Sequence, residues 1–119
     1  MKPWEIDVAV MIIFFVRDDT LQKVFDSVKV ARPRKLLLWQ DGPRKGRPDD
    51  LQGIMKCRKI VENIDWDCEV IKNYATENRG VYKNIGLGAK WVFEREPEAI
   101  FLEDDCLPDI TFFSYCTTA

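Results

Sequence analysis

The amino-acid sequence predicts an α/β fold: one open, mostly parallel sheet of about four strands, with about four helices on its two faces. Three observations predict it. Short apolar runs alternate with amphipathic segments along the chain. The first two runs are continuously apolar, as strands covered on both faces require. The strand–helix order recurs without an internal repeat, linker or low-complexity tract, so right-handed helical crossovers are the expected connections.

Val8 to Val16 is the longest apolar run and reads as a buried first strand. Asp18 and Asp19 follow as an acidic helix cap, with Leu21, Val24, Phe25 and Val28 at helical spacing and Pro33 past the end. Lys35 to Gln40 is the second strand. Asp41 to Pro48 is a loop with two prolines and two glycines. Asp49 and Asp50 open a second helix. Leu51, Ile54, Met55, Arg58 and Val61 are expected on its inner face, with Cys57, Ile60 and Ile64 beside them. Asp67 to Tyr74 reads as a third strand and Ala75 to Gly80 as a loop. A third helix is expected from about Val81 to Arg95, with Val81, Ile85, Ala89 and Val92 inward; Gly86 and Gly88 weaken it by about 1 kcal/mol each. Ala99 to Leu102 is the fourth strand, followed by Glu103, Asp104 and Asp105. Pro108 and Asp109 start a fourth helix carrying Ile110, Phe112, Phe113 and Tyr115.

The 119 residues, 46% hydrophobic and 32% charged, fit a single globular domain and exclude a disordered chain. Eighteen basic against twenty acidic residues give a net charge of −2, an average that argues against general nucleic-acid or anionic-membrane binding. The absence of histidine excludes Ser-His-Asp and Cys-His catalysis and histidine-ligated zinc within this chain. Cys57, Cys68, Cys106 and Cys116 form no CxxC pair and are expected as free thiols in a reducing compartment. The first apolar run is about half the length of a membrane span and lacks a signal-peptide layout. A soluble, cytoplasmic protein without a transmembrane segment is the expectation.

Ligands of an open parallel sheet bind at the carboxyl ends of its strands. Four groups follow those ends: Arg17 with Asp18 and Asp19; Asp41 with Gly42; Asn78, Arg79 and Gly80; and Glu103, Asp104 and Asp105. The acid triplet is the sharpest feature. Adjacent carboxylates repel, and a divalent cation such as Mg²⁺ or Mn²⁺ relieves the repulsion while binding phosphate oxygens. In an extended segment Glu103 and Asp105 point one way and Asp104 the other. A solvated acidic loop, with Asp109 capping the next helix, is the alternative. Arg17 suits a phosphate or a nucleobase carbonyl, or pairs with a nearby acid. Asp41 suits a base N–H, or serves only the Asp-Gly turn. Arg79 suits a phosphate, or is a solvated loop residue. Arg44, Lys45 and Arg47 read as a solvated loop tip, and Trp39, Trp91 and Phe93 as core or partly covered core.

Taken in order, these features resemble the nucleotide-binding half of GT-A glycosyltransferases, the N-acetylglucosaminyltransferase I-like and family 2-like branches above all. The resemblance runs through Arg17, through Trp39-Gln40-Asp41-Gly42, and through Glu77-Asn78-Arg79-Gly80-Val81. Its most specific part is Ala99 to Asp105 with the following Leu107 to Tyr115, which looks like the family's strand, DXD-type acid motif and aromatic helix. The resemblance implies Asp105 as the principal Mn²⁺ or Mg²⁺ ligand. It implies contacts of Glu103 and Asp104 with the ribose or donor sugar, and of Arg17 and Asp41 with the nucleotide, Asp41 at the uracil edge. Asn78 and Arg79 would lie near the base or diphosphate. The implied activity is transfer of a sugar from a nucleotide-diphospho-sugar, UDP-linked above all, to the hydroxyl of a glycan or other acceptor.

A complete GT-A domain is roughly twice as long, so residues 1–119 read as a donor domain cut before the acceptor half, with no general base of its own and aromatics that favour self-association. The alternatives are a non-catalytic nucleotide-sugar-binding fragment and a receiver-type signalling domain. The second needs a phospho-accepting Asp after the third strand, where this chain has Asn73 and Tyr74. A nucleotidyltransferase is a further option, but the Gly-rich basic loop expected after its first strand is absent.

Overall fold

The structure, a computed structural model, describes residues 8–104. Within them the order is β1 (Ala9–Phe14), α1 (Asp18–Ala31), β2 (Lys35–Gln40), α2 (Asp49–Val61), β3 (Glu69–Tyr74), α3 (Val81–Phe93) and β4 (Ala99–Glu103). All pairings are parallel, in the order β3-β2-β1-β4. The expected α/β fold is present, with three helices among the described residues. The fourth predicted helix and Asp105 lie outside them, as do Cys106 and Cys116.

The two innermost strands explain their own sequences. Val10, Ile12 and Phe14 of β1 and Leu36 and Leu38 of β2 pack against α1 and α2 through Leu21, Val24, Phe25, Val28, Cys57 and Val61. Ala9, Met11, Ile13, Leu37 and Trp39 face the other way, against Val92 of α3. A strand covered on both faces has no solvent side for polar residues, hence the unbroken apolar runs. Edge strand β3 is only half-buried and carries Lys72 and Asn73.

Strand order decides one alternative. Receiver-type and flavodoxin-like sheets run 2-1-3-4-5, which seats β1 between β2 and β3. Here β1 lies between β2 and β4, so the receiver reading is excluded. The observed order is that of the first half of a dinucleotide-binding sheet, whose switch point falls between β1 and β4.

Two helices sit rotated from the predicted faces. In α2 the buried residues are Asp50, Ile54, Cys57 and Val61, while Leu51 and Met55 are 57% and 54% exposed. In α3 the side toward the sheet is Asn84, Gly88 and Val92, and Ile85 is only partly covered, at 38% exposed. The reason is Trp39. Its indole N–H donates to the Asn84 side-chain oxygen (2.8 Å) and shares the Asn84 carbonyl (3.1 Å). A Cβ at Gly88 would lie 3.1 Å from that indole and from the Met11 methyl. A buried indole N–H needs an acceptor, and Asn84 supplies it only if the helix turns this side inward. Phe93, expected as core or partly covered core, is 58% exposed and stacks on Phe101.

The burial pattern makes a direct prediction. Leu38→Ala, in a fully buried side chain, is expected to cost about 2–5 kcal/mol in urea unfolding with an unchanged m-value. Leu51→Ala is expected within about 0.5 kcal/mol of the parent. Equal losses at the two positions would show that the α2 face is wrongly assigned.

Candidate functional site at the switch point

The last two carbonyls of β1 organise the carboxyl rim. Ile13 C=O accepts the Asp104 amide (3.1 Å), and Phe14 C=O accepts the Asp41 amide (3.3 Å). Two acids are thereby anchored on opposite sides of the end of one strand. They border a cleft of about 150 Å³, walled by the end of β1, Asn84 and Ile85 of α3, and Glu103. A larger open hollow of about 410 Å³ lies between Arg32, Trp66 and Glu69, toward the amino ends of β2 and β3. Its Cys68 thiol is pushed up to about 11, chiefly by burial, and the Trp66 N–H is already bonded to the Pro33 carbonyl.

Asp41 is the best-defined side chain of the site and is nearly buried. Its Oδ1 accepts the backbone amides of Gly42 (2.8 Å) and Arg79 (2.7 Å). Its Oδ2 accepts the Asn78 side-chain amide (3.2 Å), which also donates to the Gly42 carbonyl (3.0 Å). An ionised carboxylate has about four acceptor positions, so about one remains. Gly42 makes this possible: a Cβ there would lie 2.5 Å from the Glu77 backbone. The Asp-Gly pair therefore clamps the β2 end to the β3–α3 loop and does more than turn the chain.

Arg79 is held from several sides. Its guanidinium lies 4.0 Å over the Trp39 ring and donates to Asn73 Oδ1 (3.0 Å) and Asn84 Oδ1 (3.4 Å). Burial lowers its pKa, and the Asp41 charge opposes that. Arg79 is not the solvated loop residue of the alternative reading. Gly80 follows with φ 85°, a left-handed turn that leads into α3.

The structure thus brings Asp41, Glu103 and Asp104 to one cleft and ties Asn78 and Arg79 to Asp41. Arg17 stands apart. It precedes α1 as an exposed residue with no ion pair among the described residues, and only its carbonyl is used, by Leu21 N–H (3.0 Å) and the Thr20 hydroxyl (3.3 Å). Asp18 and Asp19 lie in the first turn of α1 rather than capping it. Burial, then the negative charges of Asp18, Asp104 and Asp19, push the Cys57 thiol up to about 12. Cys57, fully buried in the core, is therefore a protonated structural thiol.

Sequence reasoning missed Asn84, which links Trp39, Arg79 and the cleft wall. The available signal was the i, i+4, i+8 spacing of Asn84 and Gly88 with Val92, the one expected inward residue that shares their side of the helix. Arg44 lies on the exposed loop tip as expected, but it also grips the buried Asp50 through its Nε (2.9 Å), Nη2 (2.8 Å) and backbone amide (2.9 Å), with its guanidinium over the Phe15 ring.

Carboxylate oxygens suit a hard divalent cation, and Mg²⁺ commonly uses one or two of them plus substrate phosphates. Glu103 and Asp104 are compatible donors of that kind. Among the described residues no three His, Cys, Asp or Glu side chains gather closely enough to hold a metal, and the predicted principal ligand, Asp105, lies outside them. Comparison of the chain with protein-family models, curated proteins and solved structures gave no match.

Two predictions follow from the rim. Gly42→Ala must displace the Glu77 backbone, with an expected cost of about 1–3 kcal/mol and faster hydrogen exchange at the Arg79 amide. An unchanged melting temperature and exchange rate would remove the clamp. The second concerns acid. The Arg44 side chain and amide hold the Asp50 carboxyl down to about 2, from an ordinary 3.8. Its folded value is depressed, so the pair adds stability above pH 3.8, lost as pH falls toward 2. Asp50→Asn should therefore be less stable than the parent at neutral pH, with the gap closing across that window in acid-unfolding curves.

Proposed function

We propose that this chain is the donor-binding part of a metal-dependent glycosyltransferase that takes a nucleotide-diphospho-sugar, with a UDP-sugar favoured. The observation that carries the reading is the pair of acids hung from the last two carbonyls of β1, at the β1/β4 switch point. Open α/β sheets bind nucleotides at that place. The order of motifs along the chain supports it, since Glu103 and Asp104 enter the cleft region directly from β4.

In this reading the rim residues divide the work. Asp41 holds the 78–80 loop with two acceptor positions and its own turn, through the Gly42 amide, with a third, and its remaining one takes a nucleobase N–H. Arg79, immobilised on Trp39, contributes a fixed positive charge near the base or diphosphate. Arg17, which has no ion pair among the described residues, meets a phosphate at the α1 entrance. Glu103 and Asp104 contact ribose or sugar hydroxyls and, with Asp105, would hold Mn²⁺ or Mg²⁺. When bound, the cation would supply Lewis-acid stabilisation of the departing nucleoside diphosphate. Transfer joins an acceptor hydroxyl to the anomeric carbon as the bond to that diphosphate breaks. The acceptor hydroxyl gives up its proton to a general base as it attacks.

Calorimetric titration of UDP, with and without Mn²⁺, tests the reading. Metal-dependent binding is expected, weakened by Asp105→Ala at least as much as by losing a group behind a metal ligand, about 10–100-fold. Absence of metal-dependent heat from the folded protein would refute the donor site. Binding without hydrolysis or transfer of the sugar would favour a non-catalytic nucleotide-sugar module.

A further inference from the structure

The net charge of −2 averages over a divided molecule. Residues 43–59 hold six basic residues against two acidic ones, leaving twelve basic against eighteen acidic elsewhere. Both acids of that segment are matched internally, Asp50 by Arg44 and Asp49 by Arg47 at 3.5 Å. Lys45, Lys56 and Lys59 are exposed, and none has an ion-pair partner among the described residues. This surface also carries the two side chains that helical periodicity assigned to the core. Leu51 and Met55 are 57% and 54% exposed and sit one turn apart, with Lys59 one turn further. Arg44 and Arg47 border Leu51 in one hollow, and Arg58 and Lys59 border Met55 in the next.

We propose that the outer face of α2 and the loop before it dock on an anionic lipid surface. Leu51 and Met55 enter the headgroup–acyl boundary, while Lys45, Lys56 and Lys59 meet the anionic headgroups. Charge complementarity and the apolar pair together choose this partner. A lipid surface offers negative charge and an apolar sink within a few ångströms of each other, and clusters of Lys and Arg on a helix face are drawn to it. A nucleic acid would favour aromatic platforms for its bases. The exposed aromatics Tyr82 and Phe93 belong to α3, on the opposite face of the sheet. The docking is peripheral: no helix among the described residues is long and apolar enough to cross a membrane. The averaged charge that argued against anionic membranes conceals this patch. The inference stands independently of the donor site.

The test is flotation of the full 119-residue chain with vesicles of phosphatidylcholine alone, or of three parts phosphatidylcholine to one of phosphatidylserine. Binding is expected only to the serine-containing vesicles and should weaken as salt rises. Replacing Lys45, Lys56 and Lys59 by Gln should weaken it by about a hundredfold, about fivefold per lysine. Leu51→Ser with Met55→Ser should also weaken it, with the circular dichroism of every variant unchanged. No binding to the serine-containing vesicles, or equal binding to both kinds, would overturn the proposal. Binding lost with the lysines but untouched by the serine pair would overturn it too, and would point to an acidic protein or nucleic acid.

Discussion

Everything in this fold is placed by reference to β1. It pairs with β2 on one edge and β4 on the other, and it is buried on both faces. A strand in that position spends its side chains on two cores and its backbone on two ladders. Only its end remains to do anything else. The last two carbonyls, those of Ile13 and Phe14, complete the ladders by taking the amides of Asp104 and Asp41. Core and rim are therefore one construction, and the acids of the rim inherit the rigidity of the most buried strand.

From that end, order spreads through polar contacts rather than apolar ones. Asp41 grips the Arg79 amide, Arg79 lies on Trp39, and Trp39 donates to Asn84 of α3. Gln40, fully buried beside them, donates to the Phe15 and Ile54 carbonyls and accepts from Arg58 Nε. Buried polar groups of this kind are costly unless every partner is present. None of the buried side-chain polar atoms among the described residues lacks one. The carboxyl rim is thus built as a satisfied network, a preorganised frame for a polar ligand.

Most of the fold was legible because burial on two faces leaves a strong sequence signature. Lys35 to Gln40 was bounded correctly, and β1, β3 and β4 were each placed to within a few residues. The helices were placed as well, but the inner faces of α2 and α3 were misjudged. Periodicity alone turned Leu51, Met55 and Ile85 inward. It had no way of knowing that Asp50 would be buried by Arg44, or that Trp39 would demand Asn84. Of the candidate site, Asp41, Glu103, Asp104 and the Asn78–Arg79 loop were correctly expected on one rim. Asn84 and the clamp through Gly42 were not visible.

The sequence by itself determined the class of fold, the order of its elements and the positions of polar residues at strand ends. Those follow from local propensity and from hydrophobic pattern, which every segment carries independently of its neighbours. Strand order was decided only by the tertiary structure. It put β4 rather than β3 beside β1, made the switch point, and excluded a receiver-type sheet. Tertiary structure also decided which side of each helix faces inward. That choice rests on matching single donors to single acceptors across segments far apart in the chain, such as Trp39 and Asn84. No local pattern records such a match, because the partner's position exists only once the chain has folded.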